Sequence, residues 1–126
     1  MNILLWVLQV SLAVVFLAHG WFVLSPPAAM VEQMNALFPR SFQIVLGVAE
    51  VLSAVGLTLP GLTRIQPWLV SAAAAGVMIV MVSATIFHLM RGEVSPAITT
   101  AVLLAMATFV AYKRWRVAPI RPRRAA

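Results

Sequence analysis

The chain has 126 residues, 63% of them hydrophobic and only 10% charged, with a mean hydropathy of +1.00. A soluble domain runs nearer about 45–50% apolar and about 25% charged, so this composition points to one domain embedded in lipid. There are no cysteines, which excludes disulfides, thiolate-bound iron–sulfur clusters, thioether-attached haem and cysteine nucleophiles.

The net charge of +6 is concentrated at one end: Lys113, Arg114, Arg116, Arg121, Arg123 and Arg124 are six of the nine basic residues. Beside a membrane span such a cluster reads as a topology signal and a contact for anionic lipid, not as a nucleic-acid surface.

Ile3 to Leu24 carries no Lys, Arg, Asp or Glu and is long enough to span a bilayer, which takes about 20 residues. A cleaved signal peptide is the rival reading, but the run is too long for one and lacks a basic start. Ser25-Pro26-Pro27 stops the helix, because proline cannot continue the hydrogen-bond ladder. From Ala28 to Phe38, Met30, Val31, Met34, Leu37 and Phe38 recur at helical spacing with Glu32, Gln33 and Asn35 between them. This pattern predicts a short amphipathic helix lying on the membrane surface, with a lid over one end of the bundle as the alternative.

Ser41 is a candidate N-cap for a second span over 41–59. Pro60 to Gln66 reads as a tight connection, and Pro67 suits the first position of a third helix. The third span covers 68–90 and contains the small-residue run Ser71 to Gly76, which permits close helix approach. Arg91 to Ser95 turns the chain, and Ser95 with Pro96 forms a cap-and-first-turn pair for a fourth span over 96–112. Short connections make successive helices antiparallel neighbours. The expected fold is all-α, a transmembrane up-down-up-down four-helix bundle over 1–112 with an amphipathic segment between helices one and two. A basic tail follows over 113–126. The termini and Arg64 share one side with seven basic residues, against Arg40 and Arg91 on the other, so both termini are expected in the cytoplasm.

Glu50 is the residue this scheme must explain. It lies nine residues into the second span, roughly 13 Å deep, where an ionisable group costs about 2.5 kcal/mol or more on insertion scales. Gln43, Gly47, Glu50, Ala54 and Leu57 form one small and polar stripe. Leu12, Val15, Phe16, His19 and Phe22 form another on helix one. A third, on helix three, runs through Val77, Met81, Ala84, Thr85 and His88. Convergence of these stripes would make a polar pocket open toward the outer face. Glu50, His19, His88 and Gln43 are the candidate ligand-binding or proton-handling residues. The plainer alternative has Glu50 bonding to a backbone carbonyl, Gln9, Ser83 or a histidine and tying two helices together.

His19 and His88 differ in estimated depth by about one turn, which disfavours them as axial ligands of a b-type haem. No local ligand pair suggests a metal site. There is no nucleotide loop, serine elbow or paired carboxylate, so no enzyme activity is expected from this chain alone.

Several stretches resemble the DoxX-like family of small membrane proteins. They are Gly47-Val48-Ala49-Glu50-Val51-Leu52 with Gly56-Leu57 and Leu59-Pro60, then Pro67-Trp68-Leu69, His88-Leu89, Arg91-Gly92-Glu93 and Ala111-Tyr112-Lys113-Arg114-Trp115. The resemblance covers nearly the whole chain and implies four membrane helices, with Glu50 matching a recurrent glutamate. Family members often carry a lysine late in helix one, where this chain has Val23. His19 is the candidate substitute as partner of Glu50.

The family name derives from a subunit of a thiosulfate:quinone oxidoreductase. The resemblance therefore implies a membrane subunit or anchor of a redox or quinone-linked assembly in a bacterial plasma membrane, with a quinone or lipid-like molecule near Glu50. The alternatives are a scaffold that binds a protein partner or further copies of itself through its small-residue faces, or a small proton-coupled transporter.

Overall fold

The computed structural model describes residues 2–124. It is all-helical among these residues: α1 (Asn2–Leu24), α2 (Ala28–Leu37), α3 (Arg40–Thr63), α4 (Leu69–Met90) and α5 (Val94–Tyr112), continued by a π-helical turn, Lys113–Val117. Helices α1, α3 and α4, and α5 with its π turn, are each long and apolar enough to cross a membrane. The protein is a four-helix membrane bundle with α2 as a short connector.

Each long helix buries one stripe. On α3 the buried residues are Gln43, Gly47, Glu50, Ala54, Leu57 and Gly61, the i, i+3/i+4 series of one helical face. The core itself is Leu5, Leu12, Ala13, Phe16, Ala54, Leu57, Ala74, Val77, Met81, Ala107 and Val110. The opposite faces carry exposed apolar side chains such as Ile3, Val45, Leu62, Ile79 and Ile98. Water would not tolerate so broad an apolar surface, and lipid covers it. Helix α1 packs mainly on α3 and α4 on α5, with α3 against α4 and a lighter α1–α5 contact closing the ring.

Glycines set the closest approaches. A Cβ on Gly20 would lie 2.9 Å from the carbonyl oxygen of Gly47, and one on Gly56 would lie 2.8 Å from the Cβ of Ala73. The first brings α1 against α3, the second α3 against α4.

Helix boundaries depart from the sequence expectation in physically informative ways. Pro60 lies inside α3, which runs on to Thr63. Pro60 cannot donate to the carbonyl of Gly56 four residues back, a loss that helices packed inside a membrane tolerate. Neither Ser41 nor Ser95 caps a helix: α3 and α5 start one residue before each, with Pro39 and Glu93 at the cap positions. Pro67 and Trp68 form a turn ahead of α4, with Leu69 N–H donating to the carbonyl of Gln66 at 3.0 Å.

The fourth span does not stop at Tyr112. The π turn, closed by Ala118 N–H to the carbonyl of Lys113 at 2.7 Å, carries the first residues of the basic cluster into the bundle. Beyond it the chain folds back. Arg123 N–H donates to the carbonyl of Arg64, and Arg64 Nε to that of Arg121, both at 2.9 Å. These bonds help hold Arg64 in the left-handed conformation, φ 59°, which side-chain-bearing residues seldom adopt.

Candidate functional site

The polar residues gather at three places in the bundle. The first lies between α1 and α3. Nδ1 of His19 is 2.7 Å from Oε2 of Glu50, with a proton between them. Glu50 is 3% exposed, whereas the His19 side chain is 56% exposed. The backbone explains the pairing. Gly20 follows His19, and a Cβ there would lie 3.1 Å from the Cβ of Glu50 as well as against Gly47. Lacking that Cβ, the two helices sit close enough for an imidazole on the rim of α1 to reach a carboxyl on the inner stripe of α3. The pair has one face in the bundle and one at its surface. An imidazole and a carboxyl in contact are groups of the kind that donate and accept protons.

Gln43 lies one helical face-step from Gly47 but is engaged elsewhere. Its Nε2 donates to Oδ1 of Asn35 at 3.0 Å and to the carbonyl of Phe38 at 2.9 Å, while its Oε1 accepts from Arg40 Nη1 at 3.2 Å. Arg40 also donates to the carbonyls of Val23 and Leu24 at 2.9 and 2.6 Å. These are orphan acceptors at the C-terminus of α1, and a guanidinium there also meets the negative end of the helix dipole. Gln43 and Arg40 therefore pin the α2 corner over the ends of α1 and α3.

The second place is the end of α4. His88 Nδ1 lies 2.6 Å from Oε2 of Glu93, and Arg91 Nε donates to Oε1 of the same carboxylate at 2.8 Å. The Arg91 guanidinium, followed by His88, holds the Glu93 carboxyl below its ordinary value. Arg91 also covers Phe87, which packs on Phe38 with ring centroids 5.1 Å apart. His88 thus faces Glu93 and not Glu50. The three stripes meet in the core through Leu12, Phe16, Ala54, Leu57, Val77 and Met81, but their polar ends part into two separate histidine–carboxylate pairs.

The third place, at the opposite end, was not anticipated. Arg114 is 4% exposed and Gln9 is fully buried. Arg114 Nε donates to Gln9 Oε1 at 2.6 Å, and Gln9 Nε2 donates to the carbonyl of Leu57 at 2.7 Å. Arg114 Nη1 donates to Asn2 Oδ1 at 2.6 Å and to the carbonyl of Ala118 at 3.2 Å, and the guanidinium lies 5.4 Å from the Trp6 ring centroid. Gln9 is therefore not a partner of Glu50, and neither is Ser83, whose hydroxyl bonds back to Ile79. The signal for Arg114 was present as spacing: it follows the buried Ala107 and Val110 at i+7 and i+4. The surrounding run of basic residues hid it.

Two clefts are open at the surface. One is lined by Ala75, Met78, Ile79, Val82 and Ser83 on α4. The other, of about 240 Å³, is lined by Pro67, Trp68, Ser71, Arg114, Trp115, Pro119, Ile120 and Pro122. Neither includes His19 or Glu50. Among the described residues no group of three or more His, Asp or Glu side chains is placed to hold a metal ion.

The family model described as the DoxX-like family matches residues 7–110. The chain belongs to the DoxX-like family. The matched stretch contains both histidine–carboxylate pairs and Gln43, and it ends before Arg114. No curated protein and no solved structure matches the chain. The DoxX-like assignment, with the four apolar helices, makes this a small integral membrane protein.

Proposed function

We propose that this DoxX-like protein is a membrane subunit or anchor of a redox or quinone-linked assembly, in which the His19–Glu50 pair meets a quinone-like headgroup. The carrying observation is the pair itself. A buried carboxyl is bonded at 2.7 Å to an imidazole that is more than half exposed on the bundle surface. Polar groups of this kind inside a membrane span commonly mark a proton or ligand path. A quinone exchanges protons as well as electrons, and the pair can give or accept a proton at membrane depth. The chain supplies no thiolate for an iron–sulfur cluster, so electrons would be carried by a partner subunit. The charge asymmetry supports an orientation with Arg64 and both termini in the cytoplasm, in a bacterial plasma membrane. The same basic end supports contact with anionic lipid.

The test is extraction of the protein with its surrounding lipid from native membranes, followed by quinone analysis and identification of bound subunits. A quinone content that falls in Glu50→Gln supports the reading. Absence of both a quinone and an oxidoreductase partner overturns it.

One observation favours a second reading, a scaffold without chemistry. The His19–Glu50 bond crosses from α1 to α3 beside the Gly20–Gly47 contact, where a structural tie is useful. On that reading Glu50→Gln, which keeps hydrogen-bonding capacity, leaves both assembly and any small-molecule content unchanged.

A further inference from the structure

The Arg114 guanidinium is buried among neutral partners: the side-chain oxygens of Gln9 and Asn2 and the carbonyl of Ala118. No carboxylate faces it among the described residues. Its Nη2 is enclosed and has no hydrogen-bond partner. A buried cation without a counter-charge is costly unless an anion completes it. Arg114 also lines the cleft bounded by Pro67, Trp68, Ser71, Trp115 and the returning segment at Pro119, Ile120 and Pro122. Trp68 and Trp115 are both more than half exposed at the rim, as indoles at a membrane interface are. Lys113, Arg116, Arg121 and Arg123 add positive potential at the same end.

We infer that this cleft is a phosphate-binding site in which Arg114 receives the anion, its apolar walls accepting the adjoining part of an amphiphile. Three features converge on that chemistry. Guanidinium N–H groups bind phosphate through charge-assisted hydrogen bonds, the Nη2 group of Arg114 has no partner inside the protein, and the walls are indole, proline and isoleucine. The site differs from a diffuse attraction between tail and membrane because its central residue is inside the fold. It is also independent of the His19–Glu50 reading, at the other end of the bundle.

The experiment uses the full chain, delipidated and reconstituted in phosphatidylcholine nanodiscs, with phosphatidylglycerol as the probe. Native mass spectrometry of the released protein counts retained lipid, and tryptophan fluorescence follows the cleft. The expected result is one saturable phosphatidylglycerol per chain, retained over phosphatidylcholine. Arg114→Gln should weaken it about tenfold or more, the scale of a lost charged hydrogen bond. The triple variant Arg116→Gln, Arg121→Gln, Arg123→Gln should keep a saturable site. A second arm adds inorganic phosphate alone: saturation and lipid displacement at millimolar phosphate would assign the same site to free phosphate, and no effect assigns it to the lipid. Equal retention of the two lipids by the wild-type chain, without any response to phosphate, overturns the inference even if Arg114→Gln does not fold. So does unchanged saturable binding by a folded Arg114→Gln protein.

Discussion

Gly20 and Gly47 face each other across the α1–α3 seam, with the position of a Cβ on Gly20 only 2.9 Å from the Gly47 carbonyl oxygen. This approach is what puts His19 within hydrogen-bonding reach of Glu50. The two glycines are not equivalent, however. A Cβ on Gly20 meets backbone, whereas one on Gly47 first meets the Leu24 side chain, at 2.6 Å from Cγ. Leu24 ends its helix and can change rotamer; a carbonyl can move only with its helix. Gly20→Ala should therefore destabilise more than Gly47→Ala despite the longer nominal contact, by roughly 1–3 kcal/mol as overpacking does. Thermal unfolding in detergent, followed by circular dichroism, measures both. Equal losses, or the reverse order, would contradict this account of the seam.

The His19–Glu50 bond should appear as a coupling. His19→Ala leaves a carboxyl that is 97% buried without its partner, a loss of about 1–3 kcal/mol. Glu50→Gln retains a group able to bond Nδ1 and should lose less. In the double variant, His19→Ala should cost much less on the Glu50→Ala background than alone, a coupling of about 0.5–3 kcal/mol. Additive losses in the cycle of His19→Ala and Glu50→Ala would mean that the bond contributes nothing to the fold.

Much of the bundle is legible in the chain because lipid makes the rules strict. Four apolar runs have to be helices, and the polar stripe from Gln43 to Leu57 has to turn inward. The stripe on α1 is less well read. Leu12 and Phe16 are buried as expected, but Val15 is exposed and the burial passes from His19 to Gly20. The close glycine contact rotates the inner face by one residue, and no periodicity of side-chain hydrophobicity records a glycine as a contact. Arg114 was hidden for another reason. Its burial rests on Gln9, 105 positions away, and nothing local separates it from the basic residues on either side. The partner of His88 is not legible in the stripe on its own helix, because Glu93 lies past the turn, beyond Gly92 at φ 70°.

The Glu93 cluster predicts a pH dependence with a definite sign. Its carboxyl is held below the ordinary value of 4.5, first by Arg91 and then by His88. A carboxylate with a depressed folded-state value contributes stability that is fully present above its unfolded value and is lost as pH falls through the folded one. The stability gap between wild type and Glu93→Gln should therefore be present down to about pH 4.5 and should close on acidification below that. Because the carboxyl is solvent-accessible, the gap should also shrink in high salt. A gap that widens on acidification would refute the assignment.

Arg40 offers a test of the corner that closes the α2 end. Its two Nη atoms donate to the carbonyls of Val23 and Leu24, and Nη1 also donates to Gln43. Only a planar fork reaches all three acceptors, so Arg40→Lys should not substitute. Each variant, Arg40→Lys and Arg40→Gln, should lower stability by about 1 kcal/mol, with part of the loss moderated by water at the exposed Nη2 contact. The more specific readout is hydrogen exchange. Loss of the clamp frees the last turn of α1 and lets the α2 connection, tied through Gln43 to Asn35 and Phe38, move with it. Faster exchange is expected from Gly20 to Leu24 and across α2, with the centre of α4 unchanged. Protection that is lost evenly along all four long helices would show that Arg40 supports the bundle as a whole and not this corner.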